Sequence, residues 1–306
     1  MSVSVSAPYS ARLDQSAVCI FLFHGVIRRQ RHAVRNYTTK HLELERFREI
    51  LRDLKEKGNS VSISQILEAT TMGRALPPYP FAITFDDGFA NNGRIAAPVL
   101  EEFRISATFY VTTGFVGSSQ VSWTDRIEAA LEEATESRLD LPQIGLEGRF
   151  TTPASKRAAM EEIRRRVKSD PAIDPYVFAE NVCRQLGIPE LPDDPELDAK
   201  MTWEEAAALH AHPLFTVGGH SHTHRIMSFL NPAELENEVR ASVELLRRHL
   251  PGPVVHYSYP EGLSHCYSNA VIERLKAHGI RSAVTAQDGV NPPGVDPFLL
   301  KRIWVF

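Results

Sequence analysis

Cysteine is scarce, with three residues in 306, at positions 19, 183 and 266. They lie far apart and form no CxxC pair, which excludes a disulfide scaffold and a cysteine zinc site. No charge of one sign dominates. The formal net charge is -4 and acids and bases are mixed along the chain without a charged tail, so no positive field points to nucleic acid as a partner. Long apolar runs are missing too. The stretch AVCIFLF near the N-terminus is too short to span a bilayer, and the residues before it lack the early basic region of a secretory signal. A cytoplasmic location is the expectation, with attachment at a membrane surface as the alternative. There is no internal repeat and no low-complexity segment.

What remains is a chain with 43% hydrophobic residues, enough for a full core. Short apolar runs alternate with helical patterns. SAVCIFLFHGV (16–26), FAITF, SATFYVTTGF, LFTVGG, PVVHYSYP and RSAVTA read as strands, and LLKRIWV sits beside a last one. Between them, TKHLELERFREILRDLKEKG (39–58), NGRIAAPVLEEFR, NPAELENEVRASVELLRRHL and SNAVIERLKAHG carry apolar residues at helical spacing. Alternating strands and helices predict a parallel sheet, and this length favours a barrel over an open sheet. The rhythm breaks between Phe115 and Phe215, where the pattern is mostly helical and SRLDLPQIGLEGRFTTP has the look of a hairpin. Residues 119–200 are therefore expected to form a helical insertion, a lid or an interface, within one catalytic domain spanning 1–306.

Two clusters carry the chemistry. In TFDDGF (84–89), Asp86 and Asp87 stand side by side where an apolar strand stops. Like charges this close raise each other's pKa unless a metal or a proton separates them, although Asp-Asp-Gly is also ordinary turn chemistry. In TVGGHSHTHRIMS (216–228), three of the chain's 12 histidines, His220, His222 and His224, fall within five residues after a strand and two glycines. Imidazole is the commonest protein ligand for zinc. Strand alternation would put all three histidines on one side, whereas a helical turn would align His220 with His224. Both clusters follow the C-terminal ends of strands, where barrels place active sites.

These motifs resemble the metal-dependent polysaccharide deacetylases, carbohydrate esterase family 4, with their T-F-D-D-G and H-[S/T]-x-x-H signatures. Only the register starting at His220 fits, because starting at His222 puts Ile226 in a ligand position. The resemblance implies a distorted, incomplete (β/α) barrel, TIM-like and of about seven strands. It also implies Asp87, His220 and His224 as ligands of one divalent metal ion, and Asp86 as general base. Zinc comes first for that donor set, with cobalt, nickel and iron also suited. FHGV (23–26), ISATFYV (105–111) and the Tyr259-Pro260 pair match further habits of the family.

Departures from the pattern direct attention to other residues. Where the family has Arg-x-Pro-Tyr, this chain has YSYPEG, with Ser258 in place of Arg and Glu261 in place of Tyr. The Glu261 backbone N–H is then the candidate oxyanion donor, and Arg302 the candidate to orient Asp86. The usual Leu-x-His motif is not evident. His24, at the end of the first strand, is the candidate catalytic acid, with His222 and His265 behind it. Tyr259 and Trp123 are candidates for lining a sugar cleft, and Asp125 is either a cleft residue or a helix cap.

The resulting expectation is a hydrolase that removes an acyl group, N-acetyl first and O-acetyl or N-formyl after it, from an amino sugar. The substrate would be an oligosaccharide, a polysaccharide, or a lipid- or nucleotide-linked precursor in cell-surface polysaccharide biosynthesis. Two rivals stand beside it. One is an amidohydrolase-type enzyme, which would carry His-x-His on its first strand and not at 220–224. The other is a sugar-binding protein that keeps the fold without the chemistry.

Overall fold

The computed structural model describes residues 8–190 and 194–306. Along the chain, strands β1 (Cys19–Phe23), β2 (Gly25–Ile27) and β3 (His41–Glu43) lead into helix α1 (Leu44–Lys57). Next come β4 (Asn59–Ser60), α2 (Ile63–Met72), β5 (Pro80–Phe85), α3 (Ala97–Phe103) and β6 (Ala107–Val111). The middle stretch holds α4 (Trp123–Glu133), β7 (Ser137–Leu141), β8 (Leu146–Phe150), α5 (Pro153–Val167) and α6 (Pro175–Gln185). Then follow α7 (Trp203–Ala211), β9 (Phe215–Gly219), α8 (Pro232–His249) and β10 (His256–Ser258). The last elements are α9 (Asn269–Ala277), β11 (Ser282–Val284) and β12 (Ile303–Trp304).

These elements form two compact units. The larger contains the chain up to Arg28, His41–Ser118 and Ala199–Phe306. Its sheet runs in the order β11-β10-β9-β6-β5-β1-β12, with β4 paired to the start of β5, and every pairing is parallel. The sheet curls into the incomplete (β/α) barrel that the resemblance implied. Backbone bonds from Thr285 to Leu300 and from Arg302 to Gln287 tie the end of β11 to the approach to β12.

Strand alternation sorts the side chains into two faces. Phe21, Phe23, Ile83, Phe85, Phe109 and Val305 point outward and pack under α1 and α3, among Phe47, Leu51, Leu54 and Leu100. Phe23 stacks on Phe85 and Phe85 on Phe109, at centroid distances of 5.4 and 5.1 Å. Each such burial contributes about 1.5–3 kcal/mol. Inward, Val18, Ile20, Ala82, Tyr110, Val284 and Leu300 fill the barrel, with Ile63 and Ile66 of α2 in the same cluster. Above this apolar plug lies a buried polar layer that includes Thr84, Asp86, Thr112, His220, Ser258, Thr285 and Arg302. Gly218 makes room for the plug, since a Cβ there would come within 2.8 Å of the Tyr110 ring.

One element departs from the sequence reading. The helix expected over 39–58 starts at Leu44, because His41–Glu43 pairs in parallel with Gly25–Ile27. Glycine at 25 permits this, as a Cβ would fall 2.1 Å from His41 Nδ1.

The smaller unit contains Arg29–Lys40 and Ser119–Asp198. Its antiparallel β7–β8 hairpin is the one expected from SRLDLPQIGLEGRF. Ile127, Leu131, Leu139, Met160, Ile163 and Phe178 make a core of their own. Two acids of α4 hold the 29–40 segment by its backbone: Glu132 Oε2 accepts the Val34 and Arg35 N–H groups at 2.5 and 2.9 Å, and Glu128 Oε2 accepts that of Asn36 at 2.9 Å. Nothing in the sequence of this short segment marked it as part of the insertion, and the barrel resumes at Ala199. Among the described residues, no helix is long and apolar enough to cross a membrane.

His256 offers a direct test of the barrel interior. Its Nδ1 lies 2.7 Å from Ser282 Oγ and its Nε2 2.8 Å from Ser64 Oγ. Burial, then the charges of Arg281 and His210, push its pKa down from 6.5 to about 4. Between those values the unfolded chain takes up a proton that the native imidazole refuses. Its contribution is therefore complete above pH 6.5 and lost as pH falls, about 3 kcal/mol in all. His256→Gln is expected to flatten the dependence of urea-unfolding free energy on pH across that window; an unchanged slope would show that His256 does not titrate there.

Candidate active site

The site is assembled from the C-terminal ends of β5, β9, β10 and β11, with Arg302 entering from the residue just before β12. Asp86 follows β5 and its backbone N–H donates to the Phe23 carbonyl at 3.0 Å. Its inward carboxylate meets the Arg302 guanidinium in a two-point contact, Nη1 to Oδ1 at 2.8 Å and Nη2 to Oδ2 at 2.7 Å. Arg302 is fully buried, so its remaining donors need acceptors. Nε–H donates to the Thr285 carbonyl at 2.7 Å, Nη1 to Thr84 Oγ1 at 3.3 Å and Nη2 to Ser258 Oγ at 3.1 Å. Ser258 Oγ itself donates to Asp86 Oδ2 at 3.1 Å. The guanidinium reaches Asp86 from the start of the last strand, past the small Ser258 side chain that accepts from it.

After Asp86 the chain turns through left-handed backbone at Asp87 (φ 76°) and Gly88 (φ 77°). A Cβ at Gly88 would lie 3.1 Å from Val111 Cβ, so both conformation and space call for glycine. The turn brings the second carboxylate to both imidazoles, one of which also lies near the first. His220 Nε2 lies 3.5 Å from Asp87 Oδ1 and 3.9 Å from Asp86 Oδ2, and His224 Nε2 lies 3.2 Å from Asp87 Oδ1. His220 Nδ1 bonds the Ser258 carbonyl at 2.9 Å; a carbonyl only accepts, so the proton sits on Nδ1 and Nε2 is free to ligate.

The loop after β9 follows neither simple strand nor simple helix. Ser221 and His224 are both left-handed, φ 62° and 60°, and the His224 N–H closes the turn on Ser221 Oγ at 2.9 Å. The effect is that His220 and His224 converge while His222 bonds Thr113 Oγ1 through Nδ1 at 3.0 Å. One ligand atom from each of Asp87, His220 and His224 lies within 4.8 Å of the others.

Glu238 of α8 holds this loop and escaped the sequence reading. Its Oε1 accepts the backbone N–H groups of His222 and Thr223 at 2.8 and 2.6 Å, and Thr223 Oγ1 lies 3.0 Å from both carboxylate oxygens. A signal existed. Glu238 sits on the helix stripe that buries Leu235, Val239, Ser242 and Val243, where an acid needs a partner.

The other expected residues separate into two groups. His24 follows β1 beside Asp86, near enough for its charge to act on that carboxylate, with its ring 6.2 Å from that of Trp304. Glu261 follows β10 in a left-handed turn, φ 58°. Tyr259 and Trp123, expected to line a sugar cleft, are corrected. The Tyr259 ring is buried against Tyr267 and its hydroxyl donates to the Phe298 carbonyl at 3.0 Å, so the side chain is spent in the core. Trp123 is 4% exposed within the core of the smaller unit. Asp125 pairs with Lys40 at 3.1 Å in that unit. His265 bonds Ser228 through its carbonyl.

Charge explains the arrangement. Burial works against ionising Asp86, but Arg302 and then His220 overcome it and hold the carboxyl below its ordinary range. Burial also disfavours a charged His220, and the two carboxylates outweigh it and draw its pKa up. An enclosed place that gathers positive charge, faced by one carboxylate oxygen and two imidazole nitrogens, fits a divalent cation of the zinc type. Two carboxylates side by side are tolerable when one has a guanidinium and the other a metal.

The Glu238 clamp carries a prediction. Glu238→Ala orphans two loop N–H groups and is expected to weaken zinc affinity by ~10–100-fold, with partial recovery in Glu238→Gln, read by chelator competition. Unchanged affinity in the alanine variant would show that the loop holds its shape without this acid.

Comparison with known proteins agrees with this geometry. The sequence profile of the family described as Polysaccharide deacetylase matches residues 73–168 and 182–283, more than half the chain; His24 and Arg302 lie outside the matched stretches. No curated protein sequence matches this one. Among solved structures, IcaB from Ammonifex degensii superposes with a TM-score of 0.62 at 18% identity, over 96% of this chain and 94% of that one. The Streptococcus pyogenes deacetylase PplD, in complex with acetate, gives 0.59 at 13% identity, over 95% and 93%. The BpsB deacetylase domain from Bordetella bronchiseptica gives 0.57 at 20% identity, over 96% and 97%. At these identities the structures speak for the fold, and the profile match speaks for descent: the chain belongs to the polysaccharide deacetylase family.

Proposed function

We propose that the protein hydrolyses N-acetyl groups from amino sugars of a polysaccharide, or of its lipid- or nucleotide-linked precursor, using one divalent ion held by Asp87, His220 and His224. One observation carries this reading: an ionised, guanidinium-held carboxylate, Asp86, stands beside a donor set of one oxygen and two nitrogens. When bound there, a divalent ion supplies Lewis acidity toward the acyl oxygen and acidifies water.

The chain's own residues do the rest. Asp86 takes the proton from the water that attacks the acyl carbon, and Arg302 keeps the carboxylate ionised and aimed until it does. The backbone N–H of Glu261 donates to the oxyanion as the carbonyl becomes tetrahedral. His24 gives a proton to the departing amine as the C–N bond breaks, which leaves acetate and a free amino sugar. Zinc is the first ion to test, followed by cobalt, nickel and iron.

Elemental analysis beside a coupled acetate assay tests the proposal. Wild type is expected to bind about one ion per chain and to release acetate from N-acetylglucosamine oligomers. Asp87→Ala should lose both ion and activity, whereas Asp86→Asn should keep the ion while kcat falls ~10²–10⁴-fold. Two ions per wild-type chain would favour an amidohydrolase-type reaction. A metal-loaded wild type that frees no acyl group from any amino sugar would leave a sugar-binding protein.

Arg302→Lys keeps a charge but cannot present a planar fork. It is expected to lower kcat by ~10²-fold through misplacement of Asp86 with metal content unchanged; full activity in this variant would remove Arg302 from the mechanism.

A further inference from the structure

The segment that carries His24 is gripped by the stretch of chain that carries Asp86 and Asp87. The Asp86 N–H donates to the Phe23 carbonyl at 3.0 Å. Farther along, Asn92 Nδ2 donates to the His24 carbonyl at 2.8 Å, and Asn91 Oδ1 accepts the Val26 N–H at 3.3 Å. Asn92 Nδ2 also donates to Asn91 Oδ1 at 3.2 Å. Both neighbours of that nitrogen are acceptors, so the Asn92 amide has one orientation. The side chain is fully buried, and among the described residues its Oδ1 has no hydrogen-bond partner. A buried amide oxygen without a donor costs stability, and such a group asks for a reason beyond packing. The backbone departs from regularity at the same place. The Ala97 N–H reaches back five residues to the Asn92 carbonyl, a wide π turn of the kind frequent at functional sites. Opposite the two asparagines stands Gly25, where a Cβ would fall 2.7 Å from Asn91 Oδ1. His41 extends the network, its Nδ1 2.9 Å from Asn91 Nδ2.

We propose that Asn92 is a positioning residue that sets His24, through its backbone carbonyl, where it can protonate the departing amine. Asn91 supports it from Val26. The inference rests on the deacylase reading and on His24 as the acid of that reaction. Asp86 takes a proton from water at one end of the reacting bond system. His24 returns one to nitrogen at the other end as the C–N bond breaks, so the two residues need a fixed relation. They follow neighbouring strands, β5 and β1, whose ladder pairing ends at Phe85 and Phe23. Beyond that register the relation depends on bonds outside the ladder, and Asn92 supplies one directly at His24. It comes from the same turn that holds Asp86 and Asp87, so base, metal ligand and acid share one frame. Proton transfer tolerates little error in that frame, since a shift of about 1 Å can cost ~10²-fold in rate.

The test uses the zinc-loaded full chain and two acetyl substrates. N-acetylglucosamine oligomers need a proton on the departing amine, whereas an aryl acetate releases a phenolate that needs none. Asn92→Ala is expected to lower kcat on the oligomers ~10²-fold, with KM, zinc content and the rate on the aryl acetate near wild type. In a His24→Ala background the same substitution should add little, because residues that act as a unit are not additive. Histidine ring resonances of isotope-labelled protein give a readout without turnover. Asn92→Ala should displace the His24 signal, assigned by its loss in His24→Ala, and leave those of His220 and His224 in place. Asn92→Ser, whose hydroxyl has a shorter reach, should show the same pattern and takes over if the alanine variant does not fold. Equal losses on both substrates, or additive losses in the double variant, would make Asn92 structural and overturn the proposal. An unmoved His24 signal would overturn it as well. A wild type inert toward both substrates would remove the deacylase reading, and a displaced His24 signal would then still support the positioning of that residue by Asn92.

Discussion

The buried pair of Arg302 and Asp86 is the contact on which the site depends. Burying both charges costs several kcal/mol per ion, and the cost is recovered only when every polar atom is satisfied. Here the guanidinium spends its donors on Thr84, Asp86, Ser258 and Thr285, which draws together β5, β10, the end of β11 and β12. Losing one partner would strand the other as a buried charge, a penalty of about 3–5 kcal/mol. The pair does two things at once. It joins the last strand to the middle of the sheet, and it holds a carboxylate ionised where burial would otherwise neutralise it.

Around this pair the backbone is strained. Asp87, Ser221, His224 and Glu261 all adopt left-handed conformations, each at a cost of order 1–3 kcal/mol. Such geometry persists only where the surroundings impose it. The close approach of Gly88 to Val111 imposes it after β5. Ser221 Oγ and the Glu238 carboxylate impose it after β9. The apolar plug beneath, from Ile20 to Leu300, floors these loops, and the donor atoms of Asp87, His220 and His224 lie within 4.8 Å of one another.

The insertion illustrates how distant segments join. Arg29–Lys40 carries no element of its own, yet it belongs with Ser119–Asp198 because Glu128 and Glu132 accept its backbone N–H groups. Any non-proline residue offers such a donor, so no residue type in the segment announces the attachment.

Much of this protein was legible from residue order. Strand-helix alternation follows from local periodicity, and it carried the parallel barrel. The Asp86-Asp87 doublet and the 220–224 histidines fall at strand ends, so their adjacency in sequence already placed them on one rim of that barrel. Arg302 became the candidate to hold Asp86 because the family resemblance puts an arginine where this chain has Ser258. What sequence could not convey was which side chains the core would consume. Tyr259 and Trp123 look like sugar contacts by type, but both are used up in packing by residues far away in the chain. Glu238 looks ordinary by type and holds the 220–224 loop only because α8 lies over it. Periodicity and strand ends are properties of neighbours in sequence. The exposure or burial of a given side chain depends on which distant segments arrive against it, and that is decided only when the tertiary structure forms.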